Sequence, residues 1–175
     1  TYFPPIDSSE AYCKIYFNAV TVTDLFILPS ELPRVQGIWS YNSTFKKSVH
    51  FRSPVNFVRF LGCKFEKDLV FSEDFRAQLV ILTLCEVSDL RVTSTRSGAI
   101  RDTLQKEMNI EDIRINRSNF YNQARLDIFL SNSIEISNAT FRGRTEVLID
   151  DLETLSITAS SFEETAYFEG EYRNL

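Results

Sequence analysis

The chain has 175 residues, of which 43% are hydrophobic and 25% are charged, and this balance is typical of one folded domain with a substantial core. Its net charge of −5 argues against a basic nucleic-acid-binding surface, and no apolar run is long enough to span a bilayer. We therefore expect no nucleic-acid partner and no direct insertion of this chain into a membrane.

The first segment, residues 1–12, reads TYFPPIDSSEAY and is rich in apolar residues and proline. We interpret it as an N-terminal cap segment, because the open end of a repetitive β-structure needs shielding from further strand pairing. The chain begins with Thr1 rather than Met, so we expect it to be a fragment or a processed form of a larger bacterial protein.

From residue 13 onwards, a pattern of apolar-x-apolar-x-x-small-x-apolar residues recurs. The last three copies follow one another at steps of 21 residues at all four positions. The second copy is weaker because Ser40 replaces an apolar residue, and the first is weaker because Val20 is not small. The seven copies are Ile15, Phe17, Val20, Val22; Ile38, Ser40, Ser43, Phe45; Val58, Phe60, Cys63, Phe65; Val80, Leu82, Cys85, Val87; Ile113, Ile115, Ser118, Phe120; Ile134, Ile136, Ala139, Phe141; and Leu155, Ile157, Ser160, Phe162.

A second apolar pair follows each copy after a short polar turn, and alternation at i and i+2 indicates short strands with one buried face. The pairs are Leu25 and Ile27, Val49 and Phe51, Leu69 and Phe71, Leu90 and Val92, Leu126 and Ile128, Val147 and Ile149, and Ala166 and Phe168. A unit of this size cannot bury its own apolar face, whereas stacking on the next unit buries it. The repeat therefore predicts an all-β fold over residues 13–175: a parallel β-helix, or solenoid, of about seven coils with roughly 21 residues per coil.

Three stretches, STFKKSVHF (43–51), FVRFLGCKFEKDLVF (57–71) and SNATFRG (137–143), resemble the pentapeptide-repeat family. That resemblance implies a right-handed parallel β-helix with a quadrilateral coil, in which one column of small residues runs beside one column of large residues. A β-helix with two or three faces is the alternative, because the five-residue step is broken and the coil length varies. The implied small column is Ser43, Cys63, Cys85, Ser118, Ala139 and Ser160, and the implied large column is Phe45, Phe65, Val87, Phe120, Phe141 and Phe162.

A longer step of 33 residues separates Val87 from Phe120 and predicts an insertion at 93–112. Within it, Ile100, Leu104 and Met108 lie four residues apart with charged residues between them, which favours a short amphipathic helix or a structured loop. The insertion either packs this stripe on the wall of the coil or contacts a partner, since insertions in solenoids collect on binding surfaces.

The three cysteines, Cys13, Cys63 and Cys85, lack the spacing of a metal site, and the single histidine, His50, cannot complete one. We interpret all three as small core residues and expect no metal and no cofactor. Unpaired cysteines also favour a cytoplasmic location.

We recognise no catalytic motif in this chain. The alternation of inward and outward side chains predicts that His50 points outward, away from any nucleophile that it could activate. We therefore predict that the protein is not an enzyme. The third hypothesis is a carbohydrate-active β-helix enzyme. Such enzymes act through carboxylates and arginines on an outward face of the coil. The outward positions read Arg59, Arg114 and Glu135 on one face and Arg91 and Asp127 on another, and these mixed columns suit solvated strands better.

One outward column, Tyr16, Trp39, Arg59 and Ile81, has the composition of a protein-binding patch. The alternative is that the N-terminal segment covers it. We predict a non-catalytic interaction or structural scaffold with a protein partner, which is bound by this column and by the insertion residues Ile100, Leu104 and Met108.

The last part of the chain, residues 146–175, contains eight acidic residues and one arginine. Some pentapeptide-repeat proteins are acidic rods that resemble DNA and bind type II topoisomerases, so the resemblance implies mimicry of DNA as the second hypothesis. A head-to-tail contact between coil ends is compatible with these charges and would produce homo-oligomers.

Overall fold

The computed structural model describes residues 13–28, 35–73, 75–93 and 110–172, which form β-strands and no helix. The strands pair in parallel into a β-solenoid of about six turns with about 21 residues per turn. In chain order they are β1 (Cys13–Asn18), β2 (Thr21–Val22), β3 (Phe26–Leu28), β4 (Val35–Tyr41), β5 (Thr44–Phe45), β6 (Val49–Phe51), β7 (Val55–Leu61), β8 (Lys64–Phe71), β9 (Ala77–Thr83), β10 (Glu86–Thr93), β11 (Ile110–Asn116), β12 (Asn119–Ser137), β13 (Thr140–Phe141), β14 (Thr145–Thr158), β15 (Ser161–Phe162) and β16 (Ala166–Tyr172).

Each strand pairs with its equivalent one turn further along the chain, and the seven sequence copies occupy matching positions. Ile15 pairs with Ile38, which pairs with Val58, and the same register continues as far as Leu155. The predicted repeat is therefore confirmed. The structure has about six turns, where the repeat predicts about seven coils. The hand of the winding and a square cross-section stay predictions.

Two inward columns fill the interior, as the repeat predicts. The small column is buried from Ser43 to Ala139, with Cys63 and Cys85 almost wholly inaccessible, and Ser160 in the last turn is half-buried. Beside it, in-register parallel pairing places one phenylalanine above the next, so the rings stack face to face. Ring centroids lie 5.0 Å apart for Phe45 and Phe65. They lie 4.6 Å apart for Phe120 and Phe141, and 4.9 Å apart for Phe141 and Phe162.

The second apolar pair is shifted in two places from its predicted position. In the first turn the inward residues are Phe26 and Leu28, which pair with Val49 and Phe51, while Leu25 and Ile27 are exposed. The run Leu25–Leu28 is apolar throughout, so alternation alone allows either choice, and the length of the preceding turn decides it.

The same kind of shift occurs in β12. Leu126 is the partner of Val92, and Ala124 is the partner of Leu90, so Leu126 and Ile128 lie one alternation step later than predicted. Both side chains are nevertheless buried. The difference arises where β10 pairs with β12, because the register shifts between Val87 and Asp89.

The insertion is shorter than predicted. β10 extends to Thr93 and β11 begins at Ile110, so Thr93 and residues 110–112 belong to the solenoid wall. The stripe of Ile100, Leu104 and Met108 and the cap segment 1–12 lie outside the described residues. Within the described ranges, no helix has the length and apolar character to cross a membrane.

One position in every turn adopts the left-handed backbone conformation, immediately before the small residue. The φ angles lie between 47° and 64°, which bends the chain sharply from one strand into the next. The amide of this residue still donates to the neighbouring turn, as from Asn42 to the carbonyl of Leu61 at 2.8 Å. The residues at this position are Ala19, Asn42, Gly62, Leu84, Arg117, Asn138 and Ala159.

Replacing Leu84 by asparagine is expected to raise the free energy of unfolding by about 1 kcal/mol, because asparagine tolerates the left-handed conformation that costs leucine about that much. The Leu84 side chain is exposed, so little buried apolar area is lost. The midpoint of urea denaturation measures the change. Gly62→Ala is the opposing control, since a Cβ there would lie 2.5 Å from Oδ1 of Asn42 at a φ of 64°. A decrease in stability for the Leu84 variant would contradict the argument.

Candidate functional site

The predicted outward column is present and continuous. Tyr16 pairs with Trp39, Trp39 with Arg59, and Arg59 with Ile81, so four predicted site residues lie in one line along the solenoid. Tyr16 is 61% exposed, Arg59 is exposed, and Trp39 and Ile81 are half-buried. The three predicted insertion residues, Ile100, Leu104 and Met108, lie outside the described residues.

Two aromatic rings at the head of this column stack on each other. The Tyr16 and Trp39 centroids are 5.0 Å apart and their planes differ by 15°. Gly37 makes room for the indole, because a Cβ at that position would lie 2.5 Å from the ring atom Cη2 of Trp39. The ring faces are therefore turned towards each other along the column, and their edges point towards solvent.

Apolar residues flank the column on both sides. On one side of the column, nearer the start of each strand, Phe57 pairs with Leu79. On the other side, nearer the end of each strand, Tyr41 pairs with Leu61. Phe57 is 37% exposed and the other three are half-buried. Sequence reasoning missed all four of these residues. We call the outward residues of β1, β4, β7 and β9 the apolar face.

Acidic residues are absent from this face. The strands β1, β4, β7 and β9 contain no Asp or Glu, although the chain has 24 acidic residues. The cations of these strands are Lys14 and Arg59, and neither forms an ion pair with a described carboxylate. The absence of acids from four equivalent strands was the sequence signal that could have revealed the whole face.

Beyond β9 the same sheet face becomes polar. In the Tyr16 column, Arg114 and Glu135 follow Ile81, and their side chains form an ion pair at 3.6 Å. In the flanking column, Ser133 donates a hydrogen bond of 2.7 Å to Asp112. These two pairs of side chains therefore satisfy each other's charge and hydrogen-bonding needs, and we call the outward residues of β11 and of the last part of β12 the polar face.

Charges on the other walls also neutralise one another. Arg125 contacts Glu146 at 3.1 Å and Asp127 at 3.4 Å, and Arg144 also contacts Glu146. The prediction that Arg91 and Asp127 share a column is wrong. Arg91 pairs with Arg125, and Asp127 pairs with Thr93, because the strand register differs by two residues from the sequence alignment.

The cysteines occupy two different environments. Cys63 and Cys85 are buried in the small column as predicted, whereas Cys13 is exposed at the start of β1, so the prediction of a core role for Cys13 is wrong. The thiol of Cys63 lies 3.3 Å from both oxygens of Ser40, which explains why a polar residue fits at that inward position. The hydrogen bond with Cys63 and burial both raise the pKa of the Cys85 thiol.

Groups that could support catalysis are dispersed. His50 lies half-buried in β6, and no described nucleophile donates a hydrogen bond to its ring. Among the described residues, no three His, Cys, Asp or Glu side chains are placed to hold a metal ion. Among the described surfaces, the apolar face differs from the others in its apolar composition, its exposed apolar side chains and its lack of acidic residues.

Comparisons with protein-family models, with curated proteins and with solved structures find no match to this chain.

Proposed function

We propose that this protein is a non-catalytic β-solenoid scaffold that binds a protein partner through the apolar face. The observation that supports this most directly is the grid of exposed and half-buried apolar residues around Arg59, on strands that carry no carboxylate. Protein interfaces are enriched in Trp, Tyr, Phe and Arg and depleted in Asp and Glu at their centres. The composition of the face matches that of an interface centre.

The rigid backbone supports the same proposal. Each of the four strands hydrogen-bonds to a neighbour on at least one side, and Trp39 is held between Gly37 and Tyr16. A partner would therefore find side chains that are already ordered, which lowers the entropic cost of association. Trp39 and Arg59 are the residue types that contribute most binding energy in alanine scans.

The test is site-specific cross-linking in cells that make the protein. A photoreactive phenylalanine analogue is placed at Leu79 on the apolar face or at Ser133 on the polar face, which occupy one column. We expect a defined adduct from position 79 and none from position 133. Gly37→Ala should weaken that adduct severalfold, because the new Cβ displaces the Trp39 ring without altering the core. Equal adducts from both positions, or none from either, would contradict the proposal.

The distribution of carboxylates gives less support to the other two hypotheses. Mimicry of DNA needs a row of unpaired negative charges along the surface, whereas Glu135 faces Arg114 and Glu146 faces Arg125, and the exposed acids Glu153, Glu163 and Glu164 lie at one end of the solenoid. A carbohydrate-active enzyme needs two carboxylates that flank a groove. A gyrase supercoiling assay would revive the hypothesis of mimicry if the protein inhibited the reaction.

A further inference from the structure

Building on the proposed function, we infer that the segment bound by the apolar face is an acidic amphipathic helix, with a carboxylate placed among its apolar side chains to meet Arg59. The inference depends on the charge of the face, on its size and on the surroundings of Arg59.

The charge of the face is opposite in sign to that of the whole protein. The chain carries −5, yet β1, β4, β7 and β9 contribute Lys14 and Arg59 and no acid. Other surface cations, such as Arg91 and Arg114, have carboxylates at 3.5 Å and 3.6 Å. The face is therefore a positively charged surface without internal compensation, and an acidic partner complements it.

Arg59 lies at the centre of the apolar grid. Trp39 and Ile81 are its neighbours along the column, and Phe57 and Leu61 lie two residues away on the same strand. An apolar partner that covered this face would remove the water around the guanidinium. That desolvation is unfavourable unless a carboxylate replaces the water, and a paired carboxylate gains strength in the same dry setting. A partner that covers this face therefore needs a carboxylate opposite Arg59 in order to bind.

The size of the face suits one helix. Four strands spaced by about 4.8 Å, with outward positions spread over about 13 Å of strand, cover roughly 200–300 Å². A standard interface buries about 800 Å² on each partner, so this face alone is too small for a stable dimer of two solenoids. About four turns of helix, roughly 22 Å long and 10–12 Å wide, would cover it.

Three other occupants, namely a second copy of the chain, the segment 94–109 and an anionic membrane, match the charge less well. A second copy that docked by the same face would bring Arg59 towards its equivalent with no carboxylate between them. The segment 94–109 of this chain contains Arg96, Arg101 and Lys106 against two acids, so its own charge is positive. An anionic membrane would be repelled by the overall charge of −5 and by Asp112 and Glu135 on the adjoining polar face.

The experiment pans a displayed library against the intact protein. The library holds helix-forming peptides of about 15 residues with a fixed stripe of Leu and Phe at i, i+3, i+4 and i+7, in which the flanking positions vary among Glu, Gln and Lys. We expect enrichment of peptides with glutamate beside the stripe. Arg59→Glu should weaken their binding by about tenfold or more. Replacing their glutamates by lysine should restore binding to the Arg59→Glu protein. Arg114→Glu, on the polar face of the same column, should change the affinity by less than about twofold.

Each other outcome has a distinct meaning. Peptides that bind through Phe57 and Trp39 but are enriched in Gln or Lys would overturn the acidic partner and leave the proposed function standing. Binding that no variant of the apolar face affects would overturn both. Preferential binding of the protein to vesicles that contain phosphatidylserine would assign the face to a membrane. Tighter peptide binding after Ile100→Ser, Leu104→Ser and Met108→Ser would make the segment 94–109 the occupant. Either result would overturn the inference.

Discussion

Replacing Phe51 by alanine is expected to lower the free energy of unfolding by about 4 kcal/mol, because it leaves a large cavity where the interior is densest in aromatic rings. Phe51 is fully buried. Its ring centroid lies 5.0 Å from that of Phe71, 5.9 Å from Phe75 and 6.0 Å from Phe60. These three rings and that of Phe26, at 6.1 Å, thus lose a contact surface at once, and stacked rings on paired strands have little freedom to collapse into the space.

The loss should be local at first. In a solenoid each turn contacts only its neighbours, so stability is close to a sum of terms for single turns and their interfaces. Hydrogen exchange should show amides of β4, β6 and β7 losing protection while amides of β14 keep theirs. Phe57→Ala is the matched control: its side chain is 37% exposed, and we expect a cost below about 1 kcal/mol. Equal costs at both positions would show that the aromatic interior does not stabilise the fold.

The second large effect is expected for Gly143→Ala, which should destabilise the protein by about 3 kcal/mol. A Cβ at Gly143 would overlap the backbone carbonyl of Asn122 in the neighbouring turn. Backbone atoms cannot rotate away as a side chain does, so the two turns must separate. That movement would strain the hydrogen bond of 3.0 Å from the amide of Ala124 to the carbonyl of Arg144.

Gly37→Ala is the control for this prediction. Its Cβ would meet chiefly the ring of Trp39, a side chain at the surface that is able to move, so we expect a cost nearer 1 kcal/mol. Thermal unfolding followed by circular dichroism compares the two variants. A Gly143 variant as stable as the Gly37 variant would show that the turns can separate without cost.

Much of the fold was predictable because the interior imposes the same demand in every turn. The small column, from Ser43 to Ser160, repeats because each turn has the same limited volume at that point. Where successive copies are 21 residues apart, the aligned residues of the sequence are also the paired residues of the structure. The regular spacing thus predicted strand register without knowledge of the coordinates.

The predictions that were wrong concern residues near turns of variable length. Leu25 and Ile27 were assigned inward because they alternate, yet Phe26 and Leu28 alternate equally well and take the interior. Asp127 was placed level with Arg91 for the same reason. In apolar runs such as Leu25–Leu28, a shift of the register leaves an inward face that is equally apolar. The path of the preceding turn therefore selects the register.

The candidate site was half predictable. Tyr16, Trp39, Arg59 and Ile81 follow from the repeat because outward positions align when inward positions do. Phe57 and Leu79 were missed because, in the sequence, an apolar residue near the start of a strand looks the same as a core residue. Their exposure depends on where each strand begins its alternation, and this is set by the corner before β7 and β9 rather than by the residues themselves.

The left-handed residue before each small residue has a consequence for how such a protein can change in length. All of these residues have the same left-handed backbone conformation. The chain therefore runs in equivalent directions at the two ends of any segment that lies between two of them. Residues 118–138, from just after Arg117 through Asn138, form one such module. A tandem duplication of that module would add one layer of about 4.8 Å and leave the strands on either side in register. Growth and shortening by whole modules is thus open to this architecture, whereas a change of a few residues would have to be absorbed at another corner.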